Sequence, residues 1–129
     1  MNKRQLGKTD INLTAIGFGG APLGNLFENL DERNCYDILE KSYEKGINIY
    51  DTSPLYGYGL SEHRLGNFLK TVDEDSYFLS TKVGRYLTPA KKDNIDRGRF
   101  AGSLNFSPNL DYSYDCLLYT SDAADEVLG

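Results

Sequence analysis

The sequence predicts an α/β fold in which short strands alternate with amphipathic helices. Three observations carry that reading. Strand-like runs at residues 15–18, 47–50 and 77–83 are separated by two stretches with helical spacing, 31–45 and 61–70. A strand, helix, strand succession needs crossover connections, which set the three strands parallel with the helices on one side. Asp51 stands where the second strand ends, followed by a loop rich in Ser, Pro, Tyr and Gly. In α/β proteins the loops leaving the carboxyl ends of parallel strands build the functional site.

Taken in order, Arg4 to Thr14 reads as a hairpin, because Leu6 and the run 11–14 flank Gly7-Lys8-Thr9-Asp10, whose composition suits a turn. Residues 15–18 form the first strand of the parallel set, and Gly19, Gly20, Ala21, Pro22 and Gly24 end it in a loop that exposes backbone. Asp31 is a good N-cap for a helix to Lys45, with Cys35, Ile38, Leu39 and Ser42 on one face and Gly46 as the C′ stop. Cys35 reads as a small core residue. In the second strand Ile47 and Ile49 alternate with Asn48 and Tyr50. Ser61 is expected to cap the second helix, whose buried stripe is Leu65, Phe68 and Leu69, with His63 on its surface. In the third strand Phe78, Ser80 and Lys82 share one face, and Tyr77, Leu79, Thr81 and Val83 the other. With the second set packed on helices, Lys82 points to the opposite, inner side of the sheet. From Gly84 to Asp115 periodicity vanishes and Pro89, Gly98, Gly102 and Pro108 punctuate a polar segment, read as a long loop.

Bulk properties narrow the function classes. The 129 residues are 40% hydrophobic and 26% charged, as in an ordinary globular protein. A net charge of −5 argues against a nucleic-acid or anionic-membrane partner. Lys91, Lys92, Arg97 and Arg99 read as a solvated loop rather than a binding patch. No apolar stretch approaches the ~20 residues of a membrane span, and the start of the chain lacks the apolar core of a signal peptide, so a cytoplasmic location is expected. Two isolated cysteines with a single histidine give neither a metal-ligand spacing nor a disulfide framework. The glycine pairs Gly17/Gly19 and Gly57/Gly59 both fail the G-x-G-x-x-G pattern, since Pro22 and Glu62 stand where the third glycine belongs.

Asp51, Tyr56 and Lys82 are the candidate catalytic residues. Chemistry at a substrate oxygen requires a group that gives or takes its proton, and Tyr56 is the candidate. A phenol ordinarily titrates near ~10. A neighbouring ammonium stabilises the phenolate, and a carboxylate beside the ammonium keeps it charged and placed. Asp51 and Tyr56 have plainer readings, as a turn residue before Thr52-Ser53-Pro54 and as one of ten tyrosines on a rim, whereas Lys82 on a strand is more informative because a lysine rarely faces inward without a partner. Their convergence favours the chemical one.

The motifs DTSPLYG (51–57), SEHRLG (61–66) and STKVGR (80–85), in this order and spacing, resemble the aldo-keto reductases, above all their aldose- and L-fucose-dehydrogenase-like members. The resemblance runs from about Arg4 to Val83, and more loosely to Asp115. It implies a (β/α)8 TIM barrel of which the chain holds about three of eight β/α units, preceded by a β-hairpin that plugs the barrel bottom, because a whole barrel takes about 250 residues. It implies an oxidoreductase using NADP or NAD, acting on a small-molecule carbonyl or sugar, such as an aldose like L-fucose oxidised at C1. It implies Asp51, Tyr56 and Lys82 as three members of a catalytic tetrad, with Gly20, Ala21 and Asp51 beside the nicotinamide. The tetrad histidine follows Lys82 in the family, so His63 does not match it. The cofactor's phosphates and adenine fall to the later half of the barrel, and the chain alone is expected to be inactive. The alternative is a nicotinamide-binding regulatory or scaffold barrel without significant turnover. Finally, residues 116–126, CLLYTSDAADE, coincide with one reading frame of a common transposase sequencing adapter. The expected organisation is therefore a barrel fragment over 1–115 and a non-native tail over 116–129.

Overall fold

The computed structural model describes residues 1–118. Most of the expected non-native tail, from residue 119 onward, lies outside the described residues. The chain opens with an antiparallel hairpin, β1 (Lys3–Gln5) against β2 (Asn12–Thr14). It continues through β3 (Phe18–Gly19), helix α1 (Glu32–Glu44), β4 (Ile49–Asp51), helix α2 (Leu60–Leu69) and β5 (Phe78–Ser80). Strands β3, β4 and β5 form one parallel sheet in that order, with Tyr50 beside Phe18 and Leu79, and Asp51 beside Gly19 and Ser80. Both pairings are parallel, as expected for strands joined by helical crossovers.

Why these residues take these conformations is local. The Asp31 side chain accepts a hydrogen bond from the Asn34 backbone N–H at 2.9 Å, satisfying one of the donors that a helix start leaves unpaired. Gly46, just past the end of α1, sits at φ +82°, where a side chain would be strained. On the helix side of the sheet Tyr50 is fully buried among Leu23, Cys35, Leu39, Leu65, Phe68 and Leu69. Each such large apolar side chain contributes about 1.5–3 kcal/mol by leaving water. Burial also raises the Cys35 thiol above its ordinary value, with Arg64 opposing, so this cysteine behaves as a core residue.

The structure corrects several expectations. The first parallel strand is Phe18–Gly19, not residues 15–18. Ala15 is tied instead to the hairpin through its N–H to the Asn2 carbonyl, and Ile16 is exposed. Ile38 is likewise exposed, so the buried face of α1 is narrower than its apolar spacing implied. Ser61 does not cap α2, whose N-cap is Gly59 in the left-handed region. It is buried in the first turn and used as described below. Leu79 and Val83 are exposed rather than packed on a helix; β5 has one strand neighbour among the described residues.

The largest correction concerns residues 84–115. Instead of a loop, they hold a second antiparallel hairpin, β6 (Arg85–Pro89) with β7 (Phe106–Leu110), in a five-residue register from Arg85–Leu110 to Pro89–Phe106. Pro89 and Pro108 are tolerated because a two-stranded ribbon has two free edges, so an absent N–H can face away from the partner. No helix among the described residues is long and apolar enough to cross a membrane.

Candidate active site

The carboxyl ends of β4 and β5 bring Asp51 and Lys82 together. Ile49, Asp51, Phe78 and Ser80 share the sheet face opposite Tyr50, and Lys82 follows two residues past Ser80. Its Nζ donates to Asp51 Oδ2 at 2.7 Å and to the Thr52 carbonyl at 3.0 Å. Ser80 Oγ donates to the other carboxylate oxygen, Oδ1, at 2.9 Å. The carboxylate is thus fixed at both oxygens and the ammonium at two acceptors. The pair stays near half exposed, 43% for Asp51 and 45% for Lys82. Tyr56 completes the cluster, with the Lys82 ammonium 4.9 Å from its ring centre.

The protonation states follow from these contacts. The hydrogen bond from Lys82 holds the Asp51 carboxyl below its ordinary value; slight burial opposes, and Ser80 adds to the lowering. For Lys82, burial alone would lower the ammonium, but its hydrogen bond to the Asp51 carboxylate, with the neighbouring Tyr56 adding to it, outweighs burial and holds the group above its ordinary value. Asp51 is therefore a carboxylate and Lys82 an ammonium around neutral pH.

Backbone packing sets the position of Tyr56. Its N–H donates to the Ser53 carbonyl at 3.1 Å, and its carbonyl accepts from the Ser61 N–H at 3.1 Å. Gly24 lies directly against this segment, and a Cβ there would come under 3.0 Å from Gly57 N and from the Tyr56 carbonyl group. Gly57, at φ +66°, leaves equally little room toward the Gly24 carbonyl. Two loops therefore cross back to back with no side chain between them. Ser61 Oγ joins the same region, donating to the Gly20 carbonyl at 2.7 Å and lying 2.9 Å from Thr52 Oγ1.

The expected cofactor-side residues sit at this end of the sheet. The Gly20 N–H donates to the Asp51 carbonyl at 2.7 Å, and a Cβ on Gly20 would come within 2.8 Å of both that oxygen and Ser61 Oγ. Ala21 starts a short 3-10 turn immediately after it. His63 is exposed on α2 and hydrogen-bonded to Asn67. A cavity of about 1170 Å³ runs from Lys82 and Pro54 to Leu87 and Tyr112, and neither Asp51 nor Tyr56 lines it.

Sequence reasoning missed four contributors. Ser80 shares the face of Lys82, and that shared face is the signal in the sequence for its bond to Asp51. Ser61 and the Gly24–Gly57 crossing depend on contacts between distant loops, which local spacing does not reveal. Arg64, in the SEHRLG run, is buried and donates to the Leu23 and Leu30 carbonyls, to Asn25 Oδ1 and to Glu32, clamping the loop after β3 onto α2.

Comparison with known proteins gives a consistent relationship. The model of the aldo/keto reductase family matches residues 15–107. Pyridoxal 4-dehydrogenase of Microbacterium luteolum is 39% identical over 98% of this chain and 40% of its own length. D-threo-aldose 1-dehydrogenase of a Pseudomonas species is 48% identical over 60% of this chain and 23% of its own. The structure of an aldo-keto reductase from Bacillus halodurans, in its holo form, superposes with a TM-score of 0.69 at 30% identity, covering 95% of this chain and 34% of the other. The chain thus corresponds to about a third of a TIM barrel of this kind, and spans two fifths or less of these relatives.

Proposed function

Because the chain belongs to the aldo/keto reductase family, we propose that the full-length protein is an oxidoreductase that uses NADP or NAD and exchanges hydride with the carbonyl or alcohol carbon of a small substrate. Oxidation of an aldose such as L-fucose at C1 is the substrate reading favoured by similarity to the aldose dehydrogenase. The observation that carries the proposal is the convergence of Asp51, Lys82 and the Tyr56 ring at the carboxyl ends of adjacent parallel strands.

The donor set suits a hydride carrier. A phenol, an ammonium and a carboxylate can move a proton at an oxygen but supply no hydride; a nicotinamide, when bound, provides that capacity. Gly20, Ala21 and Asp51 are the residues of this chain assigned to hold its reactive end, where the backbone at Gly20 leaves no space for a side chain. In oxidation, the Tyr56 oxygen takes the hydroxyl proton of the substrate as the carbon gives up hydride; in reduction it returns that proton. Lys82 stabilises the negative charge that this exchange places on the phenol oxygen. Asp51 keeps Lys82 protonated and, with Ser80 and the Thr52 carbonyl, aimed.

Residues 1–115 are proposed to be the first three β/α units of the barrel, residues 116–129 a non-native tail, and the isolated 129-residue chain inactive. Following nicotinamide absorbance with L-fucose and other aldoses tests the reading. The full-length protein is expected to turn over and its Tyr56→Phe variant to lose most of the rate, since that change keeps the ring and removes the exchangeable proton. Turnover by the 129-residue chain, or an unimpaired Phe variant, contradicts it.

A further inference from the structure

The segment between Lys82 and the end of the described residues is more than a surface excursion. Its tip, residues 96–104, is fastened to both loops that flank Tyr56. The Phe27 N–H donates to the Arg99 carbonyl at 2.7 Å, the Ala101 N–H to the Asn25 carbonyl at 3.0 Å, and the Leu104 N–H to the Gly57 carbonyl at 3.0 Å. Leu26 and Phe100 form an antiparallel bridge. The Tyr58 hydroxyl donates to the Asp96 carbonyl. Arg97 closes the tip from within, bonding Ser103 Oγ at 2.8 Å and Asn105 Oδ1 at 3.0 Å. Such backbone bonds, spread over two separate loops, hold the tip in one place.

What the tip carries there is Phe100. Its ring centre lies 6.2 Å from that of Tyr56 in a tilted arrangement, and 6.2 Å from that of Tyr58 edge to face. These are distances at which aromatic pairs attract beyond their area of contact. We propose that Phe100 is a positioning residue for Tyr56, holding the phenol ring in the rotamer that keeps it beside the Lys82 ammonium. The proposal rests on the acid–base reading of Tyr56 given above. A change of χ1 well at Tyr56 is a 120° swing that would carry the hydroxyl several ångströms, and the Phe100 ring stands against it. Misplacement of a reacting group by about 1 Å costs up to roughly a hundredfold in rate.

The test compares Phe100→Ala, Phe100→Leu and Phe100→Tyr in the full-length protein, with Tyr56→Phe in parallel. Turnover is read by nicotinamide absorbance, nicotinamide affinity by fluorescence titration, and folding by thermal melting. Phe100→Ala is expected to lower kcat by about tenfold or more while nicotinamide Kd stays within about twofold, and Phe100→Tyr, which keeps the ring, to restore kcat to within about threefold. A folded Ala variant with unchanged kcat overturns the proposal, as does a loss confined to nicotinamide affinity. Should the Ala variant fail to fold, the Leu variant decides on the same two criteria. If Tyr56→Phe abolishes turnover while the Phe100 variants retain it, only the positioning role falls. If Tyr56→Phe retains turnover, or the full-length protein has none, the acid–base reading falls and the positioning role with it.

Discussion

The two ends of the parallel sheet handle polar groups in opposite ways. At the amino end, Asn48 is buried and neutral. Its Oδ1 accepts from the Thr14 N–H at 2.7 Å, its Nδ2 donates to the Asn12 carbonyl at 2.9 Å, and its N–H donates to Thr14 Oγ1 at 3.2 Å, so β4 is stitched to the opening hairpin. At the carboxyl end, Asp51 and Lys82 are charged and nearly half exposed. Buried neutral amides with every bond made give rigidity and a defined register. A half-exposed ion pair gives little stability, because water screens it. Stability is therefore a poor account of the carboxyl-end pair and a good account of the amino-end one.

The sharpest way to break this contrast is to exchange the effects. Tyr56→Phe in the full-length protein is expected to lower turnover by about 10²–10⁴-fold, the usual contribution of a general acid or base, with the melting transition nearly unchanged. A variant that loses stability but keeps its rate would place Tyr56 with the structural residues. Asn48→Ala should do the reverse: it orphans the Thr14 N–H and is expected to cost about 2–3 kcal/mol of unfolding free energy, measured by denaturant titration, with the rate per folded molecule intact.

Smaller effects sharpen the comparison through pH. Asp51 is held below its ordinary value of 3.8, so its contribution is present above that value and is lost as pH falls through the lower folded value. Lys82 is held above 10.5, so its contribution is present below that value and is lost as pH rises through the higher folded value. Between these limits the pair's contribution is flat, and exposure keeps it under about 1 kcal/mol. Unfolding free energies from pH 2 to 12, compared between the parent and a variant carrying Asp51→Asn and Lys82→Met, should differ by that amount on the plateau and converge at both extremes. Least of all is expected from His63→Gln: under about 0.5 kcal/mol and no change in turnover. A larger loss of rate would draw the helix surface into the site.

What was readable in the sequence follows the range of the interactions. The Asp31 cap, the Gly46 stop and the face shared by Ser80 and Lys82 are set by neighbours within a few residues, and they appear where expected. The parallel order of strands follows from chain connectivity. By contrast, Ile38 and Leu79 are apolar at core-like spacing yet exposed, because spacing cannot say what lies opposite. Ser61 resembled a cap, but its hydroxyl is claimed by Gly20, forty-one positions away in the chain. The β6–β7 ribbon was hidden by its prolines, which mark loops in a central strand and are harmless at a free edge. Within the candidate site, residue types were legible from the chemistry they share, whereas the parts that aim them were not.

The crossing of Gly24 and Gly57 also bears on any attempt to redesign substrate preference. Because backbone meets backbone there, an added methyl group at either position presses on main chain, and no rotamer change nearby can relieve it. A combinatorial library around the pocket would gain nothing from randomising these two sites, since nearly every member would displace the Tyr56 segment before meeting a substrate. Diversity is better placed at Leu87 and Tyr112, whose side chains line the cavity beside Lys82. The fixed pair would then serve as the fulcrum about which altered walls are judged.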